Sequence, residues 1–437
     1  MTGSPRFAEQ AVTPVPQGSR SFVRRMWFDV PLWRRIVGAM VMGALVGFIW
    51  GEGAANIKWI GDIFIRLIRM LVVPLVFATI VSGVAAMVDI KRLGSIGVKT
   101  LGLYLTTTLL SAALGLAIGT VLEPGTGVDL AGVVPQDSVS EPISVVQQFI
   151  AIIPLNPFEA LARGDILAVI FFAILVGAGI LAVGEPSRPL VAAFDAGVAV
   201  MLKVTYFVME VAPFGVFALI AWVMGTSGPD AFVHIFLLAV CVLVGCSLQL
   251  LLIHGGLVRL LAGLPIVPFF RDITDVIIVA FSTSSSSATL PIAMHVAEQN
   301  LGVSPVVAST SLPIGTTISM DGTALYVGLL TMFSAQIFGV DLSFVDYLTV
   351  IAVTGLVAIG SAPIPSASLF LLAGVLQVIG VSVEQTAIVV GFILPFDRIL
   401  DMMRTVPNCT GDLSVAVVVA RWEGELDEVV YLQRPVE

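Results

Sequence analysis

Long apolar stretches recur along this 437-residue chain, and they leave few folds open to it. A helix needs about 20 residues to cross a hydrocarbon core of roughly 30 Å. Such runs begin at about Ile36, just after Arg34-Arg35, and end with one that holds Asp397 to Asp412; eight read as full spans and two as interrupted ones. Only 12% of the residues are charged, against about 25% for an average soluble domain. The expected fold is an all-α integral membrane protein with eight transmembrane helices and two re-entrant helical hairpins.

Charge placement orients the chain. Arg34-Arg35 precede the first span, and Lys91, Arg92 and Lys99 bracket the turn between the second, about Ile60 to Met87, and the third. The loop from Glu123 to Glu141 carries Glu123, Asp129, Asp137 and Glu141 and no Lys or Arg. The positive-inside bias therefore places the N-terminus in the cytoplasm, and an even span count returns the C-terminus there. The net charge of −9 is small for this length and comes partly from Glu423 to Glu428, so it implies no nucleic-acid partner. Residues 1–30 lack an apolar run followed by a small-residue cleavage site and read as a retained soluble arm. Cys241, Cys246 and Cys409 match no metal spacing and read as small buried hydrophobes.

Two apolar segments are broken by residues that do not sustain a helix. The first break is Ser282 to Pro291, with its serine run, and the second is Ala358 to Ser368, with Gly360, Pro363 and Pro365. Non-helical backbone survives at membrane depth only where protein or a water-filled cavity satisfies it, so both read as hairpin tips. Each is followed by a span bearing charge, which gives an inverted repeat with its site at the interface. A Ser-rich soluble loop is the bland alternative.

The last span carries Asp397, Asp401, Arg404, Thr405, Asn408 and Asp412. At about 100° per residue, 397, 401, 404, 408 and 412 keep to one side of a helix. A charge at the bilayer centre costs at least about 2.5 kcal/mol, so these groups must face one another, a cavity or a ligand. Arg404 can grip a carboxylate with two parallel hydrogen bonds, and Asp401 can accept from an ammonium; together they describe a zwitterion with an extra carboxylate. The competing reading is a structural ion-pair ladder, Asp401 with Arg404, or Asp397 with Arg398 near the helix start. Pro407 is expected to kink the helix and free the carbonyl of Met403. In the seventh span, Asp321-Gly322 suggests local unwinding, and Asp321 and Asp412 are hard oxygen ligands suited to Na⁺. Tyr104, Thr107 and Thr108 share a helix face, which alone reads as packing.

With these motifs assembled, the chain resembles the dicarboxylate/amino acid:cation symporter family, which includes glutamate and aspartate transporters and neutral amino acid exchangers. The likeness rests on Arg66 to Pro74, Asn156-Pro157-Phe158-Glu159-Ala160, Ser284 to Pro291, Ser319 to Thr323 and Asp397 to Asp412. It implies a homotrimer in the plasma membrane, or the bacterial inner membrane, in contact with lipid. A fixed scaffold would come from 31–95 and 123–228. A transport domain from 96–122 and 229–420 would slide like an elevator, leaving 421–437 as a cytoplasmic tail. It implies a substrate site of Ser285, Ser286, Thr323, Asp401, Arg404, Thr405 and Asn408. Cations would sit at Tyr104, Thr107, Thr108, Gly315, Thr317, Ser319, Asp321, Asn408 and Asp412. The second tip, Ala358, Ser361, Pro363, Pro365, Ser366 and Ser368, would be the gate. Retention of Arg404 and Asp401 favours aspartate or glutamate as substrate, and the family favours Na⁺ as the coupled ion.

The sequence departs from the family pattern in two places that bear on coupling. Ser319 stands where the family has Asn, and a hydroxyl reaches less far than an amide. The second tip has Pro363 and serines where glycines are common, which restricts hinge motion. A different cation, or a channel or binding-only receptor of the same fold, is therefore the alternative. The rivals of another class are an intramembrane aspartyl protease on Asp321 and Asp412, which Arg404 beside them argues against, and a serine hydrolase on Ser284 to Ser287, which lacks a nucleophile elbow.

Overall fold

A computed structural model describes residues 30, 32–86, 94–128, 153–359 and 367–434. Among them every named element is helical and the only β pairing is an isolated bridge, Val303 with Leu426. In chain order the helices are α1 Leu32–Trp50, α2 Lys58–Ala86, α3 Ser95–Leu122, α4 Pro157–Arg163, α5 Ile166–Val183, α6 Arg188–Glu210, α7 Ala212–Ser227 and α8 Asp230–Leu248. They continue as α9 Ile266–Asp272, α10 Thr274–Thr283, α11 Ser286–Gln299, α12 Pro305–Ile318, α13 Asp321–Phe338, α14 Phe344–Ile359, α15 Ala367–Val378, α16 Val383–Glu423 and α17 Glu428–Leu432. Among the described residues, five helical stretches are long and apolar enough to cross a membrane, and shorter apolar helices include Ala168–Val183 and Ala212–Thr226.

The helices pack in two groups. In one, α1 lies along α7, and α2 packs on α5, α6 and α7. In the other, α13 is gripped by α3 and α16, and α10, α11 and α12 close on α16. The groups meet chiefly where α7 touches α16. Burial follows this division. Residues 318–335 are buried without a break, whereas α6 leaves Val200, Tyr206 and Phe207 exposed. A helix that is apolar outward and lacks protein cover suits lipid.

Local chemistry explains several boundaries. Asn156 caps α4, its Oδ1 accepting from the amides of Phe158 at 3.0 Å and Glu159 at 3.4 Å, with Pro157 at a first-turn position where no N–H is needed. Ser382 and Gln385 form a capping box at the start of α16. That helix is continuous through Pro395 and Pro407. Asp397 also lies well inside α16 rather than near its start, because the helix begins at Val383.

The first serine-rich break does form a helix–turn–helix. α10 ends on Ser284 in the left-handed region (φ 51°), Ser285 caps α11 by accepting from the Ala288 amide at 3.3 Å, and both arms pack on α16. For the second break, α14 and α15 pack together, but Ser361, Pro363, Pro365 and Ser366 lie outside the described residues. Of that tip, Ala358 is buried against Met320 and Ala112, and Ser368 is buried with its hydroxyl unpartnered.

The segment after α16, expected as a tail, is packed back. The Ser304 amide donates to the Glu425 carbonyl at 3.0 Å, the Asp427 amide to Gly302 at 2.8 Å, and the buried Tyr431 donates to the Pro265 carbonyl at 2.8 Å.

Candidate functional site

The site is built on α13, α16 and the two-residue break before α13. α12 ends at Ile318 and α13 begins at Asp321, so Ser319 and Met320 are the local unwinding that the Asp-Gly pair suggested. Close approach of backbones is enforced by glycine. A Cβ on Gly322 would run into the Arg404 carbonyl, and one on Gly315 into the Asp412 carboxylate and the Tyr104 hydroxyl.

Asp397, Asp401, Arg404, Thr405, Asn408 and Asp412 are all buried, as the helical spacing required. Arg404 Nη1 donates to Thr323 Oγ1 at 2.6 Å, Nη2 donates to Asp401 Oδ1, and the guanidinium carbon lies 5.7 Å from the Tyr326 ring centre. The ladder weighed as an alternative reading thus exists between Asp401 and Arg404. The one expected between Asp397 and Arg398 is arranged otherwise. Tyr326 donates to Asp397 Oδ1 at 2.9 Å, and Arg398 Nη1 lies 3.6 Å from Asp401 Oδ2. Arg398, Asp401 and Arg404 follow one another at i,i+3 spacing, so the two arginines flank Asp401 on either side. Thr405 donates to the Asp401 carbonyl at 2.7 Å, and Asn408 accepts from the Gly322 amide at 2.7 Å while its Nδ2 points at Met320 Sδ, 3.4 Å away. Ser286 is buried at the tip of α11, and that tip packs on α16.

The cation residues converge less evenly. Thr108 donates to Asp321 Oδ1 at 2.7 Å and Ser319 reaches the same oxygen at 3.4 Å. Tyr104 donates to the Ser311 carbonyl at 3.0 Å, and Thr107 to the Tyr104 carbonyl at 3.1 Å. The trio that alone read as packing is therefore joined to Asp321 through Thr108. Thr317 faces outward with its hydroxyl 3.0 Å from the Ile314 carbonyl. Asp321 Oδ2 and Asp412 Oδ1 are buried without a hydrogen-bond partner among the described residues. Among the described residues, this region holds four buried carboxylates, Asp321, Asp397, Asp401 and Asp412, and two buried guanidinia, Arg398 and Arg404, a surplus of two negative charges when all are ionised. Such a surplus in low dielectric requires bound cations or protons.

Sequence reasoning missed His254, Tyr326 and Met320. His254 is the most informative. It closes a π-helical turn, Gln249–His254, that follows α8, and its Nε2 lies 3.8 Å from Asp321 Oδ2. A lone ionisable residue in an apolar run was the available signal.

Comparison with known proteins gives this geometry a home. Residues 32–422 match the sodium:dicarboxylate symporter family. The chain belongs to that family. Its relatives include the proton/sodium-glutamate symport protein of Bacillus subtilis (strain 168), 36% identical over 401 residues that cover 89% of this chain and 92% of the relative. The proton/glutamate-aspartate symporter of the same organism is 35% identical, covering 89% and 94%. The C4-dicarboxylate transport protein of Anaeromyxobacter sp. (strain K) is 33% identical, covering 91% of each chain. Members of a symporter family are not enzymes, which retires the protease and hydrolase readings of the aspartates and serines.

Proposed function

We propose that this symporter is a secondary active carrier of acidic amino acids, aspartate or glutamate, driven by sodium. The observation that carries the reading is Arg404, buried between Thr323 and Asp401 on the polar face of α16. An acidic amino acid brings one ammonium and two carboxylates. Its ammonium can replace the guanidinium at Asp401 while the freed Arg404 turns to the side-chain carboxylate with Thr323. Every buried charge then keeps a partner throughout the exchange. Ser285 and Ser286 from the first tip, with Thr405 and Asn408 from α16, would hold the α-carboxylate.

Sodium would be held by Asp321 with Thr108, Tyr104, Thr107 and Ser319, and by Asp412 with Gly315 and Asn408; Thr317 would serve a further ion with the second tip. The unpartnered oxygens of Asp321 and Asp412 fit this role, because a hard cation takes carboxylate and hydroxyl oxygens. Two bound cations balance the surplus negative charge, and the substrate's own net negative charge calls for another. Coupling then has a physical basis: ions favour the loaded, closed state over the empty one.

The packing into two groups supports a scaffold of α1, α2 and α5–α7 and a transport domain of α3 and α8–α16 that slides against it in an elevator motion, with the second tip as gate. The exposed apolar faces of α6 suit lipid and a homotrimer in the plasma membrane with both termini cytoplasmic. The names of the glutamate relatives give a second reading, in which protons accompany or replace sodium. Uptake of labelled L-aspartate and L-glutamate into liposomes, with and without an inward sodium gradient, tests both. Accumulation that needs sodium supports the first reading; accumulation driven by a proton gradient alone supports the second. No accumulation under either gradient overturns the transport reading.

A further inference from the structure

His254 is wholly buried, and its Nε2 has no hydrogen-bond partner among the described residues. Its other ring nitrogen is committed. Nδ1 lies 3.2 Å from Ser414 Oγ, and that hydroxyl donates its single proton to the Gly411 carbonyl at 3.0 Å. With that proton on the Gly411 carbonyl, we assign the proton of the neutral imidazole to Nδ1, which leaves a lone pair on Nε2. That lone pair faces Asp321 Oδ2, the carboxylate oxygen that is also unpartnered, across 3.8 Å. Two acceptors therefore face each other in a sealed interior with no donor between them. The separation is too long for a hydrogen bond, yet one ion with ligand distances of about 2.3–2.6 Å can touch both atoms.

The surroundings hold this pair in place. Gly411 admits both groups, since a Cβ there would lie 3.0 Å from His254 Cε1 and 3.1 Å from Asp321 Oδ2. The other oxygen of Asp321 is fixed by Thr108 and Ser319, which aims Oδ2 at the ring. His254 is the last residue of a π turn, Gln249–His254, that follows α8, and its ring is buried. π turns of this kind are rare and recur at functional sites.

We propose that His254 is a cation ligand, and that its Nε2 and Asp321 Oδ2 together hold one of the coupled sodium ions. This rests on the reading of Asp321 as a cation residue. Nitrogen is a softer donor than oxygen and suits an alkali ion less well. Ser319, whose hydroxyl reaches the far oxygen of Asp321 at 3.4 Å, supplies little to the side that faces His254. The imidazole therefore completes the ion's shell and sets its affinity.

The test is equilibrium binding of radioactive sodium to the purified full-length protein in nanodiscs, without substrate, beside liposome uptake of L-aspartate. His254→Leu is expected to weaken sodium binding about tenfold or more, the scale seen when a metal site loses supporting groups. His254→Gln, which can offer an amide oxygen, is expected to stay close to wild type. Ser414→Ala frees the ring to take its other tautomer and is expected to weaken sodium binding too; it carries the test if His254→Leu does not fold. Unchanged sodium affinity in the folded His254→Leu or Ser414→Ala protein, or no sodium binding by the wild type, overturns the proposal. Sodium binding that behaves as expected in a protein that carries no amino acid would overturn the transport reading instead and leave the ion site standing.

Discussion

The two halves of the site solve the problem of buried charge in opposite ways. On the substrate side, Asp401 and Arg404 pair with each other, and Thr323 and Tyr326 lie against the arginine, whose Nε alone of its nitrogens is without a partner among the described residues. On the cation side, Asp321 and Asp412 each keep an oxygen without a partner among the described residues, and the ring nitrogen facing Asp321, His254 Nε2, has none either. The first half is closed and exchanges partners when a ligand arrives. The second is open and gains its partner only with an ion. A carrier built this way resists substrate leaking through an ion-free site, because the empty cation half penalises any state that seals it from water.

The largest effect should follow from breaking the closed half. Arg404→Ala removes the carboxylate grip and strands Asp401; truncating one partner of a buried pair costs about 2–5 kcal/mol, so uptake of L-aspartate into liposomes is expected to fall below detection. Unchanged uptake would show that the arginine is structural. Asp401→Asn keeps the shape but loses the charge that meets an ammonium. It should lose aspartate uptake while succinate, which has no ammonium, gains as a competitor, with Arg398 and Arg404 both free for carboxylates. If aspartate and succinate keep their wild-type order, the exchange of partners at Asp401 is wrong.

The open half should respond more gently. Thr108→Ala removes one hydroxyl from Asp321, a loss of about 1–3 kcal/mol for a buried acceptor. The sodium concentration for half-maximal uptake is expected to rise about tenfold with the maximal rate little changed. A fall in maximal rate at unchanged sodium dependence would mark Thr108 as packing. Tyr326→Phe, which removes the donor to Asp397, is expected to lower thermal stability while leaving sodium dependence alone, since it belongs to neither ion position.

Much of this arrangement was legible in the sequence because charge at membrane depth is expensive. The five-residue stripe on α16 and the Asp-Gly break before α13 are each visible as violations of an apolar rule, and the structure brings them together. What was hidden depends on long-range geometry. Nothing local joins Thr108 to Asp321 or Tyr326 to Asp397, more than 70 residues apart in the latter case. A π turn has no composition of its own, so the buried residue that ends it, His254, reads as one polar side chain in an apolar helix.

The smallest effect comes from an ion pair outside the site, which serves as the reference for the buried ones. Lys99 donates to Glu423 at 2.8 Å across the ends of α3 and α16. That hydrogen bond, more than any other influence, holds the Glu423 carboxyl below its usual range. A carboxylate with a depressed folded pKa stabilises the fold above its unfolded pKa, about 4.3, and loses that contribution as pH falls through the folded value. Lys99→Ala should therefore melt slightly below wild type at pH 7, and the two should converge on acidification. Lys99 and Glu423 are both partly open to solvent, where salt screens an ion pair, so 1 M sodium chloride should also shrink the difference. A gap that persists in acid and in salt would mean that Lys99 acts through packing of its aliphatic stem, and that the contrast between exposed and buried pairs in this chain is narrower than their solvent exposure implies.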